Sequence, residues 1–343
     1  MADLHAQDIA DMVVGVLRHL GPNKFSQIAQ SLTDYEVMPK WFKKDRVTFG
    51  SGRGIRRTLL TSTLGSAEHV GLFHTSNTNV GDHLVTMQAD WTHAQTKWAF
   101  ERRETLMGRG AYLVNDVIKP RRFAAMLDMV ELIETAAWTA PAADDYSVPF
   151  GVPYWAVKNA TTGFNGGVSG SWTTSANVDV DAVPTFKNYS GTYETVTKDD
   201  LISWMRTAKR KIGFKSPVDI PEYRGKKGSK YRIYCNETTI KALEDLGEQQ
   251  NENLGRDLAP MDGTMTFRGH PIIYVPYLDN DTEYPVYMLD HDVFKPYILK
   301  GDYLREAKPQ NSQSQPNTFV TYVDLSYQYL CIDRRRLAVA YIA

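Results

Sequence analysis

Apolar and polar positions alternate from Val85 to His93: Val85, Met87, Ala89, Trp91 and His93 fall on one face, Thr86, Gln88, Asp90 and Thr92 on the other. That period of two predicts a half-buried strand. Residues 46–63 also read as extended chain, but Ile55, Arg57, Leu59 and Thr61 alternate less cleanly with Arg56, Thr58, Leu60 and Ser62. Between 46–63 and a second extended run at 79–100 lies a tip of small and polar residues, 65–78. The expected element is a long two-stranded hairpin. Such a ribbon has nothing within its own span to cover both faces, and alone it is marginally stable. It needs a partner, and another copy of the same chain is the expected one.

Elsewhere the spacing is helical. Residues 7–20 carry apolar side chains three and four apart and stop at Gly21-Pro22; a second short helix is expected over 24–32. Pro39-Lys40-Trp41-Phe42 then leads into the ribbon, so residues 1–45 form an N-terminal arm lying across the molecule or a neighbour. After the ribbon, Gly108-Arg109-Gly110 punctuates the return. A helix follows, clearest over 120–137, with Phe123, Met126, Leu127, Val130, Ile133 and Ala137 as its apolar stripe and Glu131 and Glu134 on the polar side. Pro120 fits its first turn or kinks a longer helix starting near Tyr112.

Residues 146–195 are rich in glycine, threonine and aromatics and predict loops and short strands. A helix is expected from Thr197, with Asp200 as a capping partner, an apolar face of Leu201, Trp204, Met205, Ala208 and Ile212, and Gly213 at its end. Tyr231 to Cys235 reads as a strand, and Asn236 caps a helix carrying Ile240, Leu243 and Leu246, closed by Gly247. Further strands are expected at 271–275, 286–289 and 297–299. Two apolar-rich runs, 319–332 and 337–342, flank Asp333-Arg334-Arg335-Arg336, a basic run whose default place is a solvated face.

The 343 residues suffice for a large core, and 39 basic against 40 acidic residues leave a net charge of -1. That balance gives no electrostatic footprint for strong nucleic-acid binding. Cys235 and Cys331 sit in strand-like runs without metal-ligand spacing, and no disulfide framework is implied. The start of the chain lacks the features of a secretory signal, and no run of 18 apolar residues exists to span a membrane. Nineteen tyrosines and seven tryptophans favour large contact areas with a polar handle, as interfaces use.

Motifs for chemistry are weak. Gly50-Ser51-Gly52-Arg53-Gly54 lacks phosphate-loop spacing and reads as a bend in the ribbon. His270, His291 and Asp292 form no recognisable metal or catalytic pattern, and no G-x-S-x-G elbow occurs. Catalytic residues, cofactor and metal are therefore all read as none. The cluster Arg53, Arg56 and Arg57 is the charge group read as functional, pairing with carboxylates of a neighbour to set register.

The order of parts resembles the tailed-phage major capsid protein of Hong Kong 97 type. It runs from N-terminal arm through long hairpin, spine helix and glycine-rich mixed middle to a C-terminal return of strands. The most telling stretch is Arg268-Gly269-His270-Pro271-Ile272-Ile273-Tyr274-Val275-Pro276, similar to a late strand of that family's central domain, followed by Tyr287 to Asp290 and the ending from Leu325. The resemblance implies an α+β fold with an arm at 1–45, an extended loop at 46–100, a peripheral domain at 101–145 and 300–343, and an axial domain at 146–299. It implies no enzyme but a homo-oligomer of pentamers and hexamers, assembled in a host cytoplasm into a virion shell around double-stranded DNA. The enclosed DNA is expected to be held without sequence-specific binding. A separate scaffolding protein and a portal are the implied partners.

Candidate contacts between copies are Trp41 and Phe42 in the arm and Arg53, Arg56, Arg57, Leu64, Leu72 and Phe73 in the loop, together with Trp91 and Trp98. Two other readings stay open: an encapsulin-like compartment shell, and a cytoplasmic enzyme with a glycine-rich loop at 146–195.

Overall fold

A computed structural model describes residues 29–65, 67–73, 81–107, 111–213, 230–250, 265–312 and 314–343; the side chains of 105–107, 111–118 and 248–250 are not described. The helix expected at 7–20, most of the one at 24–32 and the turn at 108–110 lie outside those residues. Residues 29–32 are not helical.

Strands β1 (Val47–Phe49), β2 (Gly54–Leu60), β3 (Leu84–Asp90) and β4 (Thr92–Glu101) precede the spine helix, Ala111–Ala137. Strands β5 (Gly163–Gly166) and β6 (Asn188–Thr192) follow it, then the helix Leu201–Ile212, strand β7 (Tyr231–Cys235) and the helix Glu237–Gln250. The rest is β8 (Thr266–Phe267), β9 (His270–Tyr274), β10 (Val286–Asp290), β11 (Phe294–Leu299), β12 (Arg305–Glu306), β13 (Gln310–Asn311), β14 (Thr318–Cys331) and β15 (Ala338–Tyr341).

Two sheets carry the body. In the first, β14 is the central strand: β4 pairs along one edge, from Thr318 opposite Glu101 to Tyr327 opposite Thr92. Its other edge takes β13, β12 and β11 in turn, and β1 adds parallel to β11. The second sheet runs β5-β6-β15-β10-β7-β9-β8. Besides the passage from β4 through the spine helix to β5, the chain crosses between sheets twice, from β10 to β11 and from β14 to β15. A buried ion pair joins the two crossings, Arg336 Nη1 to Asp290 Oδ2 at 2.8 Å. Sheet membership therefore cuts across the expected partition: β1, β4 and β11 belong with β14, and β15 belongs with the second sheet.

The spine helix begins at Ala111, so Pro120 lies inside it. Its buried side is Ala125, Met129, Ile133 and Ala137, one residue every four, whereas Phe123 is 43% exposed and Leu132 50% exposed. The helix is thus rotated from the expected stripe, and Glu134, assigned to the polar side, is buried. Its carboxylate accepts from the backbone N–H of Val37 (2.9 Å) and Glu36 (3.3 Å) and from Trp138 Nε1 (3.2 Å). Those three donors make burial tolerable, and burial still pushes its pKa up.

The basic run Arg334-Arg335-Arg336 is likewise not a solvated face. Arg334 is fully buried, donating from Nε to the Trp155 carbonyl at 2.9 Å and from Nη2 to the Gly167 carbonyl (2.7 Å) and Asn188 Oδ1 (3.0 Å). It holds the glycine-rich loop against the C-terminal strands. The helix Leu201–Ile212 matches expectation: Leu201, Trp204, Met205, Ala208 and Ile212 are all buried.

Candidate assembly interface

The ribbon is hydrogen-bonded as a hairpin over seven pairs, from Gly54 opposite Asp90 to Leu60 opposite Leu84. Among the described residues it has no third strand. Chain expected to continue it to residue 100 breaks at Trp91, and β4 leaves to pair with β14. The alternation slips there too. Met87, Ala89 and Trp91 are buried, but in β4 the buried positions become Thr92 and Ala94, and His93 is exposed. One residue of slip exchanges the two faces.

The root of the ribbon is fastened to its own molecule. Ile55, Met87 and Ala89 are buried in the main core. The Gln88 N–H donates to the Ala176 carbonyl at 2.9 Å and Gln328 Nε2 to the Asp90 carbonyl at 2.9 Å, and at the far end of the paired strands Thr185 Oγ1 donates to the Thr61 carbonyl at 3.1 Å. Trp91, expected as a contact between copies, is instead buried in its own chain, donating from Nε1 to the Gly52 carbonyl at 2.9 Å.

The outward face of that far end and the loop beyond it have no such cover. Leu60 and Leu84, which face each other across the ribbon, are both exposed, as are Leu64 and Val70. Leu72 is 94% exposed and Phe73 fully exposed. A scattered surface leucine needs no explanation, but this many large apolar side chains on one projecting element mark an interaction surface.

Of the other candidate contacts, Arg53 and Arg56 are exposed, and Arg57 is half-buried with a hydrogen bond to the Tyr297 side chain. Trp98 is half-buried near the far end of β4, stacked on Phe100 and donating to Glu306 Oε1 at 3.2 Å. Trp41 and Phe42 are corrections. Both are fully buried within their own chain and have no surface to offer a neighbour.

They lie in a wide π-helical segment, Val37–Asp45. Trp41 meets the rings of Trp138, Tyr234, His291, Phe294 and Tyr329 at centroid distances of 5.1 to 6.0 Å. Its Nε1 donates to the Tyr234 hydroxyl at 2.9 Å. The segment is tied down further by Asp45, buried between Lys230 (2.9 Å) and Arg232 (2.8 Å), and by Glu36 with Lys40. Sequence spacing alone gave no sign that this stretch is core. The nearest signal was the aromatic pair itself, which fits a core as well as a contact.

His291 and His270 do not converge with Asp292 on a metal. His291 is buried with Nε2 2.8 Å from the Tyr234 hydroxyl, and burial holds its pKa well below the usual histidine range. Among the described residues no group of histidine, cysteine and carboxylate side chains is arranged to hold an ion. No described helix is long and apolar enough to cross a membrane.

No protein-family model matches the chain, and no curated protein matches it by sequence. Solved structures do match by fold. A capsid chain of cyanophage A-1(L) superposes with a TM-score of 0.65 at 14% identity, over 92% of this chain and 95% of that one. The fold is that of phage capsid subunits. A capsid chain of the native GTA particle gives 0.60 at 11% identity over 94% and 96% of the two chains. A chain from Gordonia phage Cozz gives 0.53 at 11% identity over 99% and 96%. The α+β architecture implied by the sequence resemblance is therefore the one present, along nearly the whole chain.

Proposed function

We propose that this chain is the major capsid protein of a tailed double-stranded DNA phage, a structural subunit whose copies close into an icosahedral shell of pentamers and hexamers. The observation that carries the reading is the division of the ribbon: root locked into its own core, outer part projecting with uncovered leucines and phenylalanine, on a capsid-subunit fold. A projecting apolar ribbon is satisfied when it lies on the next copy, and a closed array satisfies every ribbon at once. Interfaces of this obligate kind bury roughly 2,000 Å² or more.

The role is mechanical, not catalytic. The near-neutral balance of 39 basic and 40 acidic residues suits a wall that encloses DNA without gripping it, because phosphate binding scales with the cations presented. A separate scaffolding protein and a portal complete assembly in the host cytoplasm on this reading. The direct test is purification of the expressed chain followed by sedimentation and negative-stain microscopy. Closed particles of uniform size are the expected result, and a stable monomer or small oligomer at every concentration overturns the proposal.

A further inference from the structure

We infer that the cleft at the ribbon's root receives a carboxylate side chain from a second copy of this chain, an inference that rests on the shell reading above. The cleft has a volume of about 530 Å³ and is lined by Gly52, Arg53, Gly54, Arg56, Gln88 and Asp90. Arg53 and Arg56 are both exposed, and no described carboxylate forms an ion pair with either. Arg56 Nε donates to Gln88 Oε1 at 3.1 Å, and Gln88 Nε2 donates in turn to Asp90 Oδ1 at 3.1 Å. Asp90 thus holds the glutamine that aims Arg56. Two guanidinium groups against one carboxylate leave the cleft with one positive charge unbalanced.

Its walls are shaped before anything binds. The Gly52 carbonyl is pinned by Trp91 Nε1 at 2.9 Å, and Gly52 has φ of +139°, a conformation that side-chain-bearing residues rarely adopt. A Cβ on Gly54 would lie 2.6 Å from Asp90 Oδ1 and 3.0 Å from the Ala89 carbonyl, so only glycine lets the strands approach this closely. A fixed wall lowers the ordering cost of docking. A guanidinium fork matches a carboxylate in two parallel hydrogen bonds, a match that sets orientation as well as affinity.

The position of the cleft argues for a second copy as donor. It opens at the foot of the ribbon, the element that the shell reading lays on the next copy. The chain also displays carboxylates that its own cations hold loosely, such as Asp181, whose side chain is 95% exposed and 3.6 Å from Lys187.

The test uses the full chain. Heavy-nitrogen-labelled Arg53→Lys and, separately, Arg56→Lys subunits are co-assembled with an excess of unlabelled unaltered chain. The particles are then treated with a carbodiimide. The reagent activates a carboxylate as an acylisourea, the adjacent amine attacks its carbonyl carbon to form an amide, and the reagent leaves as a urea. Mass spectrometry should find a labelled peptide from position 53 or 56 joined to an unlabelled acidic peptide, in particles and not in dispersed subunits. Links confined to labelled peptides, or no link in particles that form, overturn the inference while leaving the shell reading intact.

A second arm replaces both residues, Arg53→Glu with Arg56→Glu. Particle yield should fall roughly tenfold or more from like-charge contact, with the melting temperature of the dispersed subunit unchanged. An unchanged yield overturns the inference in favour of no occupant, and assembly of the unaltered chain only when inorganic phosphate is present overturns it in favour of a free anion.

Discussion

The exposed end of the ribbon gives the most informative perturbation. Leu72 and Phe73 are 94% and fully exposed in the lone subunit, so replacing both by serine removes nothing that the subunit uses to fold. Surface changes of that sort shift folding stability by about 0.5 kcal/mol or less. If the ribbon is covered by a neighbour, each side chain contributes about 1.5 to 3 kcal/mol on assembly. The two together give about 3 to 6 kcal/mol per subunit, because each subunit places one ribbon. At about 1.4 kcal/mol per factor of ten, the concentration threshold for assembly should rise between roughly a hundredfold and ten-thousandfold. Light scattering against subunit concentration measures that threshold, and thermal melting of the dispersed subunit supplies the control. A threshold within about threefold of the unaltered chain, well below the effect of burying even one such side chain, refutes the reasoning, as does a large fall in subunit stability.

Trp41 carries the opposite expectation: Trp41→Ala should cost the subunit roughly 3 to 5 kcal/mol in urea unfolding through the cavity left among five rings. A loss below about 1 kcal/mol, the typical effect of any point change, would show that the segment is not core. Glu134 predicts a pH effect. Burial raises its folded-state pKa, so its contribution is full below the ordinary carboxylate pKa and is lost as pH rises through the raised value. Glu134→Gln keeps an acceptor for the Val37 and Trp138 donors and abolishes the titration. The melting temperature of the variant relative to the unaltered chain should therefore climb as pH rises above the ordinary carboxylate range, and parallel curves would contradict the assignment.

Much of this molecule was legible in its residues because some elements have only one apolar face. Leu201–Ile212 has a single stripe, and that stripe is what the structure buries. The spine helix is different. Phe123, Ala125, Met126, Leu127, Met129, Val130, Leu132 and Ile133 put apolar groups on most of its circumference, so spacing selects no unique face. The runs at 319–332 and 337–342 were recognisable as strands, yet an apolar-rich strand buried on both faces does not say which sheet it joins.

Charges misled for a related reason. Arg334 is buried on carbonyl and amide oxygens, and no sequence pattern announces backbone acceptors. The ribbon was legible as two strands and a projecting tip, whereas its slip at Trp91 was not, because nothing in an alternating run marks the residue where pairing changes partner.

The central claim is that copies complete one another through the ribbon, and a cryo-electron-microscopy map of the assembled protein tests it most directly. The account predicts that Leu72 and Phe73 of each copy are seated against a different copy, with Ile55 and Met87 still in their own core. Particles in which every ribbon lies on its own subunit, with Leu72 and Phe73 facing solvent, would contradict it.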